Sequence, residues 1–224
     1  MKKVVSFSFS FVLSLLIALL FVSCDEVVGD DSNAGDMFNP NGYEYVDLGL
    51  PSRIMWAAYN VGATKPEEYG GYYAWGETVE KIDDGKEDVN YNGNLDNKAV
   101  LDANNDVARV KWGGSWRMPT FEEFQELIDC CTWEWVFVND VMGCELTGPN
   151  GNSIFFPNAG YLGEKSFHNR GFRGYYWTSS LAPYDVEAYM LYFSIGIEGA
   201  PNHKSIDTFE RTQGLTVRPV CDLK

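Results

Sequence analysis

Apolar residues in this chain gather in short runs, and Gly, Pro, Asn or Asp bounds most of them. Runs of that kind predict strands at Tyr43–Leu48, Arg53–Asn60, Gly71–Trp75, Trp133–Val138, Val141–Thr147, Ser153–Phe156, Gly174–Ser179, Ala188–Ile195 and Thr216–Val220. The pair Asn139-Asp140 between two runs predicts a tight hairpin. One stretch has the helical period instead: Phe124, Leu127, Ile128 and Cys131 share a face, just after Pro119-Thr120-Phe121-Glu122-Glu123. There the Thr120 hydroxyl can accept from the Glu123 N–H while the Glu123 carboxylate reaches back to the Thr120 N–H, a capping box that starts a helix. One firm helix among many short strands predicts an α+β domain over residues 43–224.

The N-terminal segment reads differently. Lys2 and Lys3 precede an apolar run, Val4–Val22, which ends at Ser23 and Cys24. This order predicts a secretory signal over residues 1–23, with an uncleaved anchor helix as the alternative. Cys24, directly after a small residue and followed by acids, resembles a bacterial lipobox. The thiol would be acylated there, holding the protein to a membrane without a spanning helix. Residues 24–42 hold Asp25, Glu26, Asp30, Asp31 and Asp36 with no Lys or Arg, which predicts a self-repelling acidic tether.

Charge removes one class of partner. With 17 basic residues against 32 acidic, the net charge is −15, and no basic footprint exists for nucleic acid. A hydrophobic content of 45%, including 15% aromatic, is too rich for a disordered chain.

Several segments resemble a known family when taken in order. They are Tyr45-Val46-Asp47-Leu48-Gly49-Leu50-Pro51-Ser52, Trp56-Ala57 with Asn60-Val61-Gly62-Ala63, and Tyr72-Tyr73-Ala74-Trp75-Gly76-Glu77-Thr78. Next come Trp112-Gly113-Gly114-Ser115-Trp116-Arg117-Met118-Pro119-Thr120 and Thr147-Gly148-Pro149-Asn150-Gly151-Asn152. Gly174-Tyr175-Tyr176-Trp177-Thr178-Ser179-Ser180 and Val217-Arg218-Pro219-Val220 complete the set. Together they resemble the Fibrobacter succinogenes major paralogous domain (FISUMP), found in surface lipoproteins of Bacteroidota. The resemblance implies a C-type-lectin-like domain with short antiparallel strands, one well-capped helix and long loops. It also implies display at the outer membrane, exposed on the cell surface. The same fold family includes formylglycine-generating enzymes, which the run Trp116–Thr120 resembles.

Cysteines depart from the family pattern. Cys130, Cys144 and Cys221 look additional, and the four cysteines beyond Cys24 allow three full pairings. A bridge from Cys130 or Cys131 to Cys221 would suit a lectin-like fold; free thiols are the alternative.

Little in the sequence signals catalysis. His168 and His203 are the only histidines, and no paired-histidine metal motif, phosphate loop or nucleophile elbow occurs. An enzyme and a resident cofactor are therefore not predicted. Asp88, Asn90, Asn92 and Asp96, with Gly93 between them, have the spacing of a calcium loop. Ala99 stands where the bidentate acid belongs, so a solvated loop is the simpler reading. Asp102-x-Asn104-x-Asp106 reads as a turn.

The predicted function is a surface-anchored binding or display module for a glycan or protein. An enzyme of the formylglycine-generating type, or a structural subunit with an unpaired edge strand, is the alternative. Ligand contact is expected in loops between Ser180 and Gly214, at Tyr184, Asp185, Glu187, Asn202 and His203, where a variable surface loop is the competing reading.

Overall fold

The computed structural model describes residues 40–83, 98–163, 166–196 and 202–222. The signal, Cys24, most of the tether and the Asp88–Asp96 loop lie outside these residues.

Among the described residues two α-helices and a set of small antiparallel sheets make up the architecture, which is α+β at the strand-rich end of that class. In the first sheet β1 (Tyr45–Asp47), β2 (Met55–Ala57), β12 (Val220–Cys221) and β3 (Trp116–Arg117) lie in that order, so β2 pairs with the last strand. A meander of β4 (Thr132–Val138), β5 (Val141–Thr147) and β6 (Ser153–Pro157) forms the second. Asn139 and Asp140 turn β4 into β5 with φ of 48° and 64°, the left-handed pair that a two-residue hairpin requires. A third sheet holds β9 (Arg173–Leu181), β10 (Glu187–Ser194) and β11 (His203–Glu210), with β10 central. A ribbon of β7 (Tyr161–Leu162) and β8 (Phe167–His168) completes the set.

Two clusters of buried side chains share these strands. Met55, Tyr175, Trp177, Met190 and Cys221 enter the first cluster, while Trp56, Tyr176, Leu191, Phe193 and Val220 enter the second. Successive residues of a strand point to opposite faces, so β2, β9, β10 and β12 are buried on both sides. That is why their sequences read as unbroken apolar runs rather than alternating ones.

Helix α2 (Phe121–Cys130) begins at the predicted capping box. Thr120 Oγ1 accepts from the Glu123 N–H at 3.3 Å, and Glu123 Oε2 accepts from the Thr120 N–H at 2.8 Å. Arg117 grips the same carboxylate with both terminal nitrogens, at 2.8 and 2.6 Å. Phe124 and Leu127 are buried, as the helical period required.

Up to Pro219 the expected strand at Thr216–Val220 is realised as separate bonds to different neighbours: Trp177 N–H donates to the Thr216 carbonyl, Val61 N–H to Val217 and Ala57 N–H to Pro219. Ladder pairing begins only after Pro219, which has no N–H to give. The Gly71–Trp75 run likewise makes only isolated bridges, Tyr72 to Lys81 and Tyr73 to Leu215. Helix α1 (Val107–Trp112) is too short for its period to register in the sequence. Asp106 starts it by accepting from Arg109 N–H at 3.0 Å, and it also accepts from Met118 N–H at 2.8 Å. The preceding Ala103–Asn105 segment is the expected turn.

Two further expectations are corrected. Between Ser180 and Gly214 the expected strand at Ala188–Ile195 is present as β10, but a second strand stands where only loop was expected: β11 pairs with β10 over eight residues, Glu187 with Glu210 through Ser194 with His203. Only Ile206 and Phe209 are apolar in β11, so this edge strand left no hydrophobic run in the sequence. A bridge from Cys130 or Cys131 to Cys221 is also absent, and Cys130, Cys131, Cys144 and Cys221 are free thiols. Cys221 faces the first buried cluster, whereas Cys131 belongs to the second.

Candidate functional site

The hairpin of β10 and β11 separates the five expected ligand residues. Tyr184, Asp185 and Glu187 lie at the β9–β10 turn, while Asn202 and His203 lie at the far end of the hairpin. Seven residue steps of strand place these ends about 23 Å apart, so the five do not converge on one site. Tyr184 is 72% exposed. Its carbonyl accepts from Glu187 N–H at 2.9 Å, and the Asp185 carbonyl accepts from Arg211 Nη1 at 2.8 Å.

A cleft opens at each end. The first, about 640 Å³, lies between the β7–β8 ribbon and the β10–β11 hairpin. Its apolar wall is aromatic: the rings of Tyr161 and His168 stack at 4.9 Å, and Phe209 meets Tyr161 edge-on at 4.9 Å. Gly163 permits that stack, because a Cβ there would come within 2.9 Å of His168 Nε2. The opposing wall is polar. Glu187 Oε2 accepts from Thr208 Oγ1 at 2.7 Å, and Glu210 Oε2 accepts from Gln213 Nε2 at 3.1 Å. Glu187 and Glu210 occupy directly opposite positions of the two strands.

Asn202 and His203 belong to the second cleft, about 350 Å³, with Trp133 and Trp135 of β4 and Lys204 of β11. Lys204 Nζ sits 5.0 Å from the centre of the Trp133 ring and donates to the Ile128 carbonyl at 3.2 Å. Ile128 is in the last turn of α2, where carbonyls lack helical partners, so Lys204 also caps that helix. Burial pushes the Lys204 ammonium below the ordinary lysine range.

Cys131 and Cys144 line the same cleft. Burial pushes their thiols up to about 11 and about 12, which keeps both protonated at neutral pH. Cys221 is pushed up to about 11 for the same reason. Thiols of this kind are poor nucleophiles.

Among the described residues no group of three or more His, Cys, Asp or Glu side chains could hold a metal, and no helix is long and apolar enough to cross a membrane. The calcium-loop residues lie outside the described part. No family model, curated protein or solved structure matches the chain.

Of the five expected ligand residues, Glu187, Asn202 and His203 line the two clefts and Tyr184 and Asp185 line neither, while Tyr161, His168, Phe209 and Lys204 are lining groups that were not expected. His168 was visible as one of two histidines. The rest carried no signal, because Tyr161 and Phe209 come from distant segments that only the tertiary fold brings together.

Proposed function

We propose that this chain is a membrane-anchored binding module of the Fibrobacter succinogenes major paralogous domain type, and that it binds a neutral carbohydrate in the first cleft. The cleft itself carries the reading. Its aromatic wall of Tyr161, His168 and Phe209 is suited to the apolar C–H face of a pyranose. The wall opposite offers two carboxylates and an amide to the hydroxyls. Its volume lies within the range of small-molecule sites. The acidity of the chain disfavours an anionic ligand beside Glu187 and Glu210.

The anchor rests on the lipobox-like Cys24 and the acidic residues after it, which favour display on the outer face of an outer membrane. The lectin-like form of the domain draws support from the pairing of β2 with β12, which brings the two ends of the domain together. The enzymatic alternative draws no support from the buried, protonated thiols.

The test is an array of neutral oligosaccharides probed with the full chain and with a His168→Ala/Glu210→Gln variant. The wild type retains a neutral sugar and the variant loses it. Retention of no neutral sugar by the wild type counts against the reading.

A further inference from the structure

The two clefts differ in charge. Glu187 and Glu210 line the first, whereas no acid is among the described residues that line the second, where Lys204 brings a positive charge. On a chain of net charge −15, such a spot has a narrow use. Extended polyanions are repelled by the surrounding surface, while a single carboxylate needs only one local partner.

The hydrogen-bonding capacity of the second cleft is partly unspent. Lys204 has three donors and gives one to Ile128, which leaves two for a ligand. The Asn202 side-chain carbonyl accepts from Gly196 N–H at 3.0 Å, so its amide N–H₂ is left as a donor. His203 stands beside them, its ring 5.5 Å from that of Tyr192. Trp135 supplies the apolar surface: its ring is half-buried, leans on Phe193 at 6.0 Å, and keeps part of its area open. Trp133 is held more firmly, with its indole N–H donating to Leu127 at 3.2 Å. Fixed rings beside a cation and an amide suit a pyranose that carries a carboxylate.

We infer that the second cleft is a separate binding site for a uronic-acid residue, with Lys204 pairing the carboxylate, Asn202 donating to an adjacent oxygen and Trp135 stacking on the sugar ring. Asp129 is the acid close enough to Lys204 to oppose the incoming charge. It lies on α2 and is not among the residues that line the cleft.

The experiment titrates cellobiouronate, and cellobiose as the neutral disaccharide, into the full chain carrying His168→Ala/Glu210→Gln. That background weakens any binding in the first cleft, and Lys204→Gln and Asn202→Asp act only on the second, so failure of one site is distinguishable from failure of the other. Tryptophan fluorescence and calorimetry report binding. Cellobiouronate binds about tenfold tighter than cellobiose, as one charge-assisted contact implies, and 0.5 M salt erodes the difference. Lys204→Gln removes the preference. Because Lys204 also caps α2, a second variant, Asn202→Asp, places a carboxylate in the cleft without touching that cap, and it too removes the preference. Equal affinity for the two sugars, no binding of either, or a preference that survives in folded Lys204→Gln or Asn202→Asp protein overturns the inference.

Discussion

Glu187 and Glu210 stand directly opposite each other across β10 and β11, two carboxylates in register on neighbouring strands. Like charges so placed destabilise a sheet. The cost is accepted at the end of the hairpin that forms the wall of the first cleft, where Thr208 and Gln213 hold the two carboxylates.

Relieving that repulsion should therefore stabilise the fold. Glu210→Gln keeps the size and polarity of the side chain and is expected to raise stability by about 0.5 kcal/mol. Urea unfolding measures it, and a midpoint below that of the wild type would show that the pair does not repel.

Arg218 is a different kind of buried charge. Its guanidinium donates to Asn60 Oδ1 at 2.7 Å, to the Ala57 and Ala58 carbonyls at 3.1 Å each, and to the Phe155 carbonyl at 2.8 Å. All four acceptors are neutral, and burial pulls its pKa down to about 10. Arg218→Met leaves those acceptors without their donor, so a loss of more than about 3 kcal/mol is expected, with Arg218→Lys in between. Equal stability of the methionine variant would show that the four bonds contribute little.

The buried thiols make stability fall at alkaline pH. Their pKa values rise from 9.0 in the unfolded chain to about 11 for Cys131 and Cys221 and about 12 for Cys144. The folded form keeps protons that the unfolded form has already lost. Stability is thus intact below pH 9 and declines between about pH 9 and 12. Burial of the Tyr72 hydroxyl, pushed up to about 12, acts in the same direction. Cys144→Ala should make the decline shallower. Iodoacetamide at pH 8 should leave Cys144 and Cys221 unmodified until guanidinium is added; rapid native labelling would contradict their burial.

Acylation of Cys24 predicts that palmitate labelling in cells is lost in Cys24→Ala. Equal labelling of that variant would contradict a lipid anchor at Cys24.

Local interactions were the legible part of this chain. The capping box at Thr120 and Glu123 and the hairpin at Asn139-Asp140 depend on residues a few positions apart, so both could be read from the sequence. The buried strands were visible too, because Tyr175, Tyr176 and Trp177 fill cores on both sides. Strand β11 was not, since an edge strand with Lys204, Asp207 and Glu210 has no reason to be apolar. The clefts were least legible. Tyr161 and Phe209 lie far apart in the chain, and only the packing of the β7–β8 ribbon against the hairpin makes them neighbours.

A neutral sugar in the first cleft is the reading on which the proposed function stands. Calorimetric titration of an array-selected oligosaccharide into wild-type chain and into the His168→Ala/Glu210→Gln variant tests it most directly. At least about tenfold weaker binding to the variant is expected, from the loss of a stacking ring and a charged acceptor, in a variant that still unfolds cooperatively. Unchanged affinity in the folded variant would contradict it.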